Sequence, residues 1–159
     1  MNDINGYDVE DLAVGQRATF SKTITEADIA QFAGVSGDHN AIHVNETFAA
    51  TTRFGGCIAH GFLTASVISA AVANRLPGPG TIYLSQQLNF RAPVRPGQLV
   101  HASVVVSAID RVRRRVTLET VCRVGETVVV DGHALVLATS SAKRQNTAAD
   151  SRTTQTEPT

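Results

Sequence analysis

Between residues 81 and 139 the apolar residues fall at alternate positions: Ile82, Leu84, Leu88 and Phe90, then Val100, Ala102, Val104 and Val106, then Val116, Leu118 and Cys122, then Val128, Val130, Ala134 and Val136. A period of two predicts strands with one buried face. Turn signals at Pro93 to Gly97, Asp110 to Arg114 and Gly125-Glu126 separate these runs. The gaps are too short for crossover helices, so the strands are antiparallel neighbours.

The first half carries a different pattern. After a short strand around Arg17 to Ile24, Thr25-Glu26-Ala27-Asp28 reads as a capping box ahead of Ile29, Ala30, Phe32 and Ala33. A shorter helix follows Asn45 as its N-cap and covers Glu46 to Thr51, until Phe54-Gly55-Gly56 breaks the pattern. From Gly61 to Leu76 the chain is apolar on nearly every face, ending at Pro77-Gly78-Pro79-Gly80. Such a helix must be surrounded by protein, and its small residues, Ala65, Ser66, Ser69, Ala70, Ala71 and Ala73, suit close approach of another backbone. One apolar helix wrapped by a curved antiparallel sheet is an α+β layer arrangement.

At 159 residues the chain fits one domain, expected over residues 7–140. Residues 141–159 lack large apolar side chains and are expected to form a disordered tail. Hydrophobic residues make up 43%, charged residues 18%, and the formal net charge is zero, which argues against a nucleic-acid partner. Arg111 to Arg115 is therefore read as a solvated hairpin end, with a phosphate contact by one arginine as the lesser alternative. Cys57 and Cys122 lack the spacing of a metal or disulfide framework and are expected to be buried thiols. No apolar segment reaches the roughly 18 residues of a membrane span and no basic leader opens the chain, so a cytoplasmic protein without membrane contact is expected.

The candidate chemistry lies in Ser36-Gly37-Asp38-His39-Asn40-Ala41-Ile42-His43, read as a loop between helices, and in Ala59-His60-Gly61 at the start of the apolar helix. Asp38 and His43 together can take and return a proton. The Gly61 N–H is one of the unpaired donors at the positive end of a helix dipole, suited to a developing oxyanion, and glycine admits close approach of a substrate. His60 can orient that turn. Taken alone, the spacing is better accounted for by Asp38 or Asn40 in an Asx turn and His43 as a hydrogen-bonded core residue. Gly78-Pro79-Gly80 lacks the setting of a dinucleotide fingerprint, and Ser66 and Ser69 lie within a helix and not on a nucleophile elbow, which removes dinucleotide and serine-hydrolase readings.

The two motifs, followed by Leu76-Pro77-Gly78-Pro79-Gly80-Thr81-Ile82-Tyr83 and Leu88-Asn89-Phe90-Arg91-Ala92-Pro93-Val94 in that order, resemble the MaoC-like dehydratases over roughly residues 12–139. Ala41 stands where that family usually has proline, removing a φ restraint. The resemblance implies a single hot-dog fold and, for a chain of this length, the (R)-specific enoyl-CoA hydratase branch that feeds polyhydroxyalkanoate synthesis. The implied reaction is reversible syn hydration of a trans-2-enoyl-CoA to an (R)-3-hydroxyacyl-CoA, a hydro-lyase activity. Asp38 and His43 would be the catalytic pair, Gly61 the oxyanion donor, and Asn40 and His60 orienting residues. Ser69, Val72 and Val136 would line the acyl pocket. An acyl-CoA substrate, a homodimer with its site near the subunit interface, and neither metal nor redox cofactor are expected. A hot-dog acyl-CoA thioesterase and a non-catalytic acyl-binding subunit of a heteromeric dehydratase are the alternatives.

Overall fold

A computed structural model describes residues 6–142 of the chain. In chain order the elements are β1 (Arg17–Thr23), α1 (Glu26–Ser36), α2 (Ala41–Val44), α3 (Glu46–Ala50), α4 (Gly61–Asn74), β2 (Ile82–Phe90), β3 (Leu99–Asp110), β4 (Arg115–Val124) and β5 (Thr127–Leu137). The strands form one antiparallel sheet in the order β1-β3-β4-β5-β2. α4 lies across it, against β1, β3, β4 and β5. This is the α+β arrangement that the alternation and the apolar helix require. The expected tail lies, from residue 143 onward, outside the described residues. Among those described, no helix is long and apolar enough to cross a membrane.

The core is the contact between α4 and the inner face of the sheet. Val100, Ala102, Val104 and Val106 of β3 and Val116, Leu118 and Cys122 of β4 are buried against Leu63, Val67, Ile68, Ala71 and Val72 of α4. Full burial of each large aliphatic side chain contributes about 1.5–3 kcal/mol, so this layer contact outweighs the propensity of either element. Cys122 is buried and Cys57 half-buried, and both are free thiols; burial pushes the Cys122 thiol up to about 12.

Three expectations change. On β5 Val129 and Val130 are buried while Val128 is half-buried, because a bulge opposite Cys122 and Arg123 inserts one residue and turns the alternation over. α4 is not surrounded within one chain: Phe62, Ser66, Ser69 and Ala73, at helical spacing, face away from the sheet and are exposed. The edge strand β2 likewise leaves Ile82, Leu84 and Phe90 56%, 44% and 50% exposed. The arginine-rich hairpin, finally, is partly a strap. Arg111 donates to the carbonyls of Val9, Glu10 and Leu12, and Arg113 pairs with Asp110, so these two are occupied in holding structure.

The β2–β5 pairing depends on one glycine. A Cβ at Gly132 would lie 1.9 Å from the Gln87 carbonyl oxygen and 3.2 Å from the Leu88 Cα, both backbone atoms that cannot rotate away. Gly132→Ala should therefore lower the unfolding free energy by at least ~2 kcal/mol, read as a fall in the urea midpoint. An unchanged midpoint would mean that the two strands separate at no cost.

Candidate active site

α1 begins on the capping box expected from sequence, with the Thr25 hydroxyl accepting from the Asp28 N–H and the Asp28 carboxylate accepting from the Thr25 N–H. It ends on Gly37, whose φ of +76° is the left-handed geometry that turns the chain out of a helix. Asp38 follows at once. Its Oδ1 accepts from the Asn40 N–H at 3.2 Å, and the Asn40 Oδ1 accepts from the Ile42 N–H at 3.2 Å. Asn40 is thereby the N-cap of α2, so the segment expected as loop contains a helical turn. Four residues are too short to produce a periodic signal. Ala41 is the first helical residue, the position at which proline is most at home because its missing N–H has no helical partner anyway. Alanine fits there through its helix propensity, and Asn40 supplies the restraint.

α2 carries His43. Its Nδ1–H donates to the Ile58 carbonyl at 2.8 Å, and the Ile58 N–H donates to the Ile42 carbonyl at 3.2 Å, so the turn is strapped to the segment that leads into α4. A carbonyl only accepts, which fixes the proton on Nδ1 and leaves Nε2 of a neutral His43 as an acceptor. His60, 2% exposed, precedes α4 and donates from Nε2 to the Asp38 carbonyl at 3.0 Å. The His43 and His60 rings stack with centroids 3.9 Å apart at 31°, and Phe32 of α1 closes on His60 at 4.9 Å. Asp38, His43 and His60 each present one ligating atom within 4.8 Å of the others. An imidazole ligates in its ring plane, and two stacked rings hold their lone pairs side by side and not convergent, so this set suits proton handling better than coordination. Among the described residues the buried Nδ1 of His60 has no hydrogen-bond partner.

Gly61 is the first residue of α4, and no side chain caps that helix. Its first N–H groups therefore remain available to a ligand. Phe90 of β2 lies so close that a Cβ on Gly61 would come 2.7 Å from its ring, which is a packing reason for glycine here in addition to substrate access. His43 and Gly61 share a cleft of about 370 Å³ whose walls include Phe54, Ile58, Phe62 and Phe90. His43 also borders a second cleft with Glu26, Glu46 and Cys57. Asp38, Asn40, His43, His60 and Gly61 are thus brought together. Ser69 is not: it stands eight residues along α4 from Gly61, about 12 Å along the axis, on the exposed face. Val72 and Val136 are 1% and 0% exposed within the core and line neither cleft. The Ile58 carbonyl, which sets the His43 tautomer, is a main-chain group without any sequence signal.

One helix laid across a five-stranded antiparallel sheet is the single hot-dog arrangement, and here an aspartate and a histidine meet beside an uncapped helix N-terminus. The chain belongs to the MaoC-like dehydratase family, whose MaoC like domain matches residues 11–129. It is 52% identical over 127 residues to a 3-hydroxybutyryl-CoA dehydratase of Methylorubrum extorquens, covering 80% of this chain and 81% of that one. Over 128 residues it is 50% identical to an (R)-specific enoyl-CoA hydratase of Rhodospirillum rubrum, covering 80% and 89%. Among solved structures, the (R)-hydratase from A. caviae involved in PHA biosynthesis superposes with a TM-score of 0.78 at 42% identity, covering 81% of this chain and 98% of that one.

A carboxylate fastens the lip of the site. Glu46, at the start of α3, accepts from the Cys57 N–H at 2.9 Å; this bond, chiefly, holds its carboxyl below the ordinary value of 4.5. A depressed carboxyl stabilises the fold above its unfolded value and loses that contribution as pH falls through the folded one. Wild type should therefore have a higher urea midpoint than Glu46→Gln at neutral pH, with the gap closing as the pH drops below about 4.5. A gap that persists in acid would show that the charge is not what holds the lip.

Proposed function

We propose that the protein is an (R)-specific enoyl-CoA hydratase, a hydro-lyase that adds water reversibly and on one face across a trans-2-enoyl thioester to give the (R)-3-hydroxyacyl thioester. The observation that carries the reading is the meeting of the Asp38 carboxylate and the His43 ring at the uncapped start of α4. A water bridging the Asp38 carboxylate and His43 Nε2 is deprotonated by the pair as its oxygen bonds to C3 of the enoyl chain. The π electrons move onto the thioester, and the enolate oxygen is stabilised by the Gly61 N–H at the positive end of the α4 dipole. The pair then returns the proton to C2 while the carbonyl re-forms, so one water is consumed and no group is left over. Asn40, by capping the turn that bears His43, and His60, by holding the Asp38 main chain, are positioning residues. The hydratase unit is residues 7–140, with 141–159 as an appended tail, and the enzyme works in the cytoplasm, supplying 3-hydroxyacyl-CoA to polyhydroxyalkanoate synthesis.

The active form is a homodimer in this reading. Support comes from the uncovered face of α4 and the open edge of β2, where Phe62, Ile82, Leu84 and Phe90 leave a large apolar surface in water. Ser69 lies on that same face, so its place near a catalytic pair is one that an interface would supply. The acyl pocket is proposed to open there beside Ser69, with Val72 and Val136 in the core layer behind it.

Two measurements test these points. Purified enzyme should bleach the enoyl absorbance of crotonyl-CoA without releasing thiol, and Asp38→Asn and His43→Gln should each lower kcat at least ~100-fold while keeping the wild-type circular dichroism. Undiminished turnover in both variants, or thiol release, would refute the assignment. Sedimentation should give twice the 16.8 kDa chain mass, and Phe62→Glu should shift the particle toward one chain; a monomeric wild type would remove the dimer.

A further inference from the structure

Three arginines stand close to the cleft shared by His43 and Gly61, and two of them are occupied. Arg91 makes a two-point pair with Asp131, Nε to Oδ2 at 2.8 Å and Nη2 to Oδ1 at 3.2 Å. Arg95 donates to the Phe54 carbonyl and faces Glu46, whose carboxyl it helps to hold down. Arg53 differs from both. It lines the cleft, is exposed, and has neither a hydrogen-bond acceptor nor an acidic partner among the described residues. Its guanidinium lies over the Phe54 ring, 4.9 Å from the centroid.

That posture has a chemical meaning. Stacking on an aromatic face restrains a flexible side chain while leaving its fork of N–H donors unused, and this fork matches the oxygens of a phosphate. The net charge of the chain is zero, so a polyanion gains little from the overall field and must be recognised by local groups. An enoyl thioester would reach the half-buried His43 ring on a long pantetheine arm that ends in phosphate and remains outside. The apolar walls Phe54, Ile58, Phe62 and Phe90 suit such an arm, and among the described residues Arg53 is the unpaired cation along that same cleft.

We infer that Arg53 is a substrate-binding residue that takes a phosphate of the carrier arm, an inference that rests on the hydratase reading. The shared chemistry is a phosphate ester beyond the pantetheine. Coenzyme A and an acyl carrier protein both hold the phosphate next to the pantetheine, and coenzyme A alone adds those of its adenosine end.

The test compares wild type, Arg53→Gln and Arg53→Lys on crotonyl-pantetheine, crotonyl-4′-phosphopantetheine and crotonyl-CoA. In Arg53→Gln the preference in kcat/KM for crotonyl-CoA over crotonyl-pantetheine should fall about tenfold, mainly through KM, with Arg53→Lys recovering part of it. The rise of KM for crotonyl-CoA with salt should also flatten in Arg53→Gln, since a screened contact has been removed. A matching fall for the phosphopantetheine thioester supports the phosphate common to both carriers as the ligand; a fall confined to crotonyl-CoA supports the adenosine-end phosphates. A preference equal to that of wild type overturns the role of Arg53. If wild type hydrates none of the three thioesters, it is the hydratase reading that fails.

Discussion

The site depends on how the first turn of α4 is held. A helix start has donors with no partner of their own kind, and burial without a cap would normally be costly. Here the neighbouring main chain fixes the approach: the Ala59 N–H donates to the Val94 carbonyl, and His60 anchors the Asp38 carbonyl from the other side. The turn itself remains open, with Phe90 packed against Gly61 and the cleft beside it. The burial of Leu63, Val67, Ile68 and Val72 against the sheet places the axis, and the axis places the donors.

From that anchor Asp38 and His43 are held almost entirely through main-chain groups. Asp38 is tied through its carbonyl, and among the described residues its carboxylate accepts from the Asn40 N–H alone. His43 is tied through Nδ1 to Ile58, which leaves Nε2 for chemistry. On the proposed hydratase reading, the bonds that hold these two residues leave the His43 Nε2 and most of the Asp38 carboxylate unused, which keeps the groups in place without consuming them. The His60 ring, wedged between His43 and Phe32, supports both from beneath. It carries an unpartnered Nδ1, a tolerable defect in an acceptor and a costly one in a donor.

Much of this was legible in the chain. The alternation on β3 and β4, the capping box at Thr25, the Asn45 cap and the start of α4 at Gly61 all appear where their residue patterns put them. The departures have local causes. α2 is shorter than any period can reveal, and the β5 bulge changes the phase of an alternation that reads regularly in sequence. The apolar residues of α4 and β2 signal burial, and a single chain leaves part of them uncovered. Ser69, Val72 and Val136 could be assigned from resemblance only, since no spacing rule connects a mid-helix serine to a loop thirty residues earlier.

What the sequence alone determined is the material of the protein: an α+β layer pair, a carboxylate and an imidazole five positions apart, and a glycine at a helix start. These follow from short-range periodicity and local propensity, which adjacent residues carry in full. Only the tertiary structure decided that the Ile58 carbonyl sets the His43 tautomer, that His60 holds the Asp38 main chain, and that among the described residues Arg53 stands unpaired while Arg91 and Arg95 do not. Those outcomes are contacts between groups fifteen to forty-one residues apart, or depend on their absence. Their geometry is set by the sheet and the helix packing together, and no local pattern encodes it.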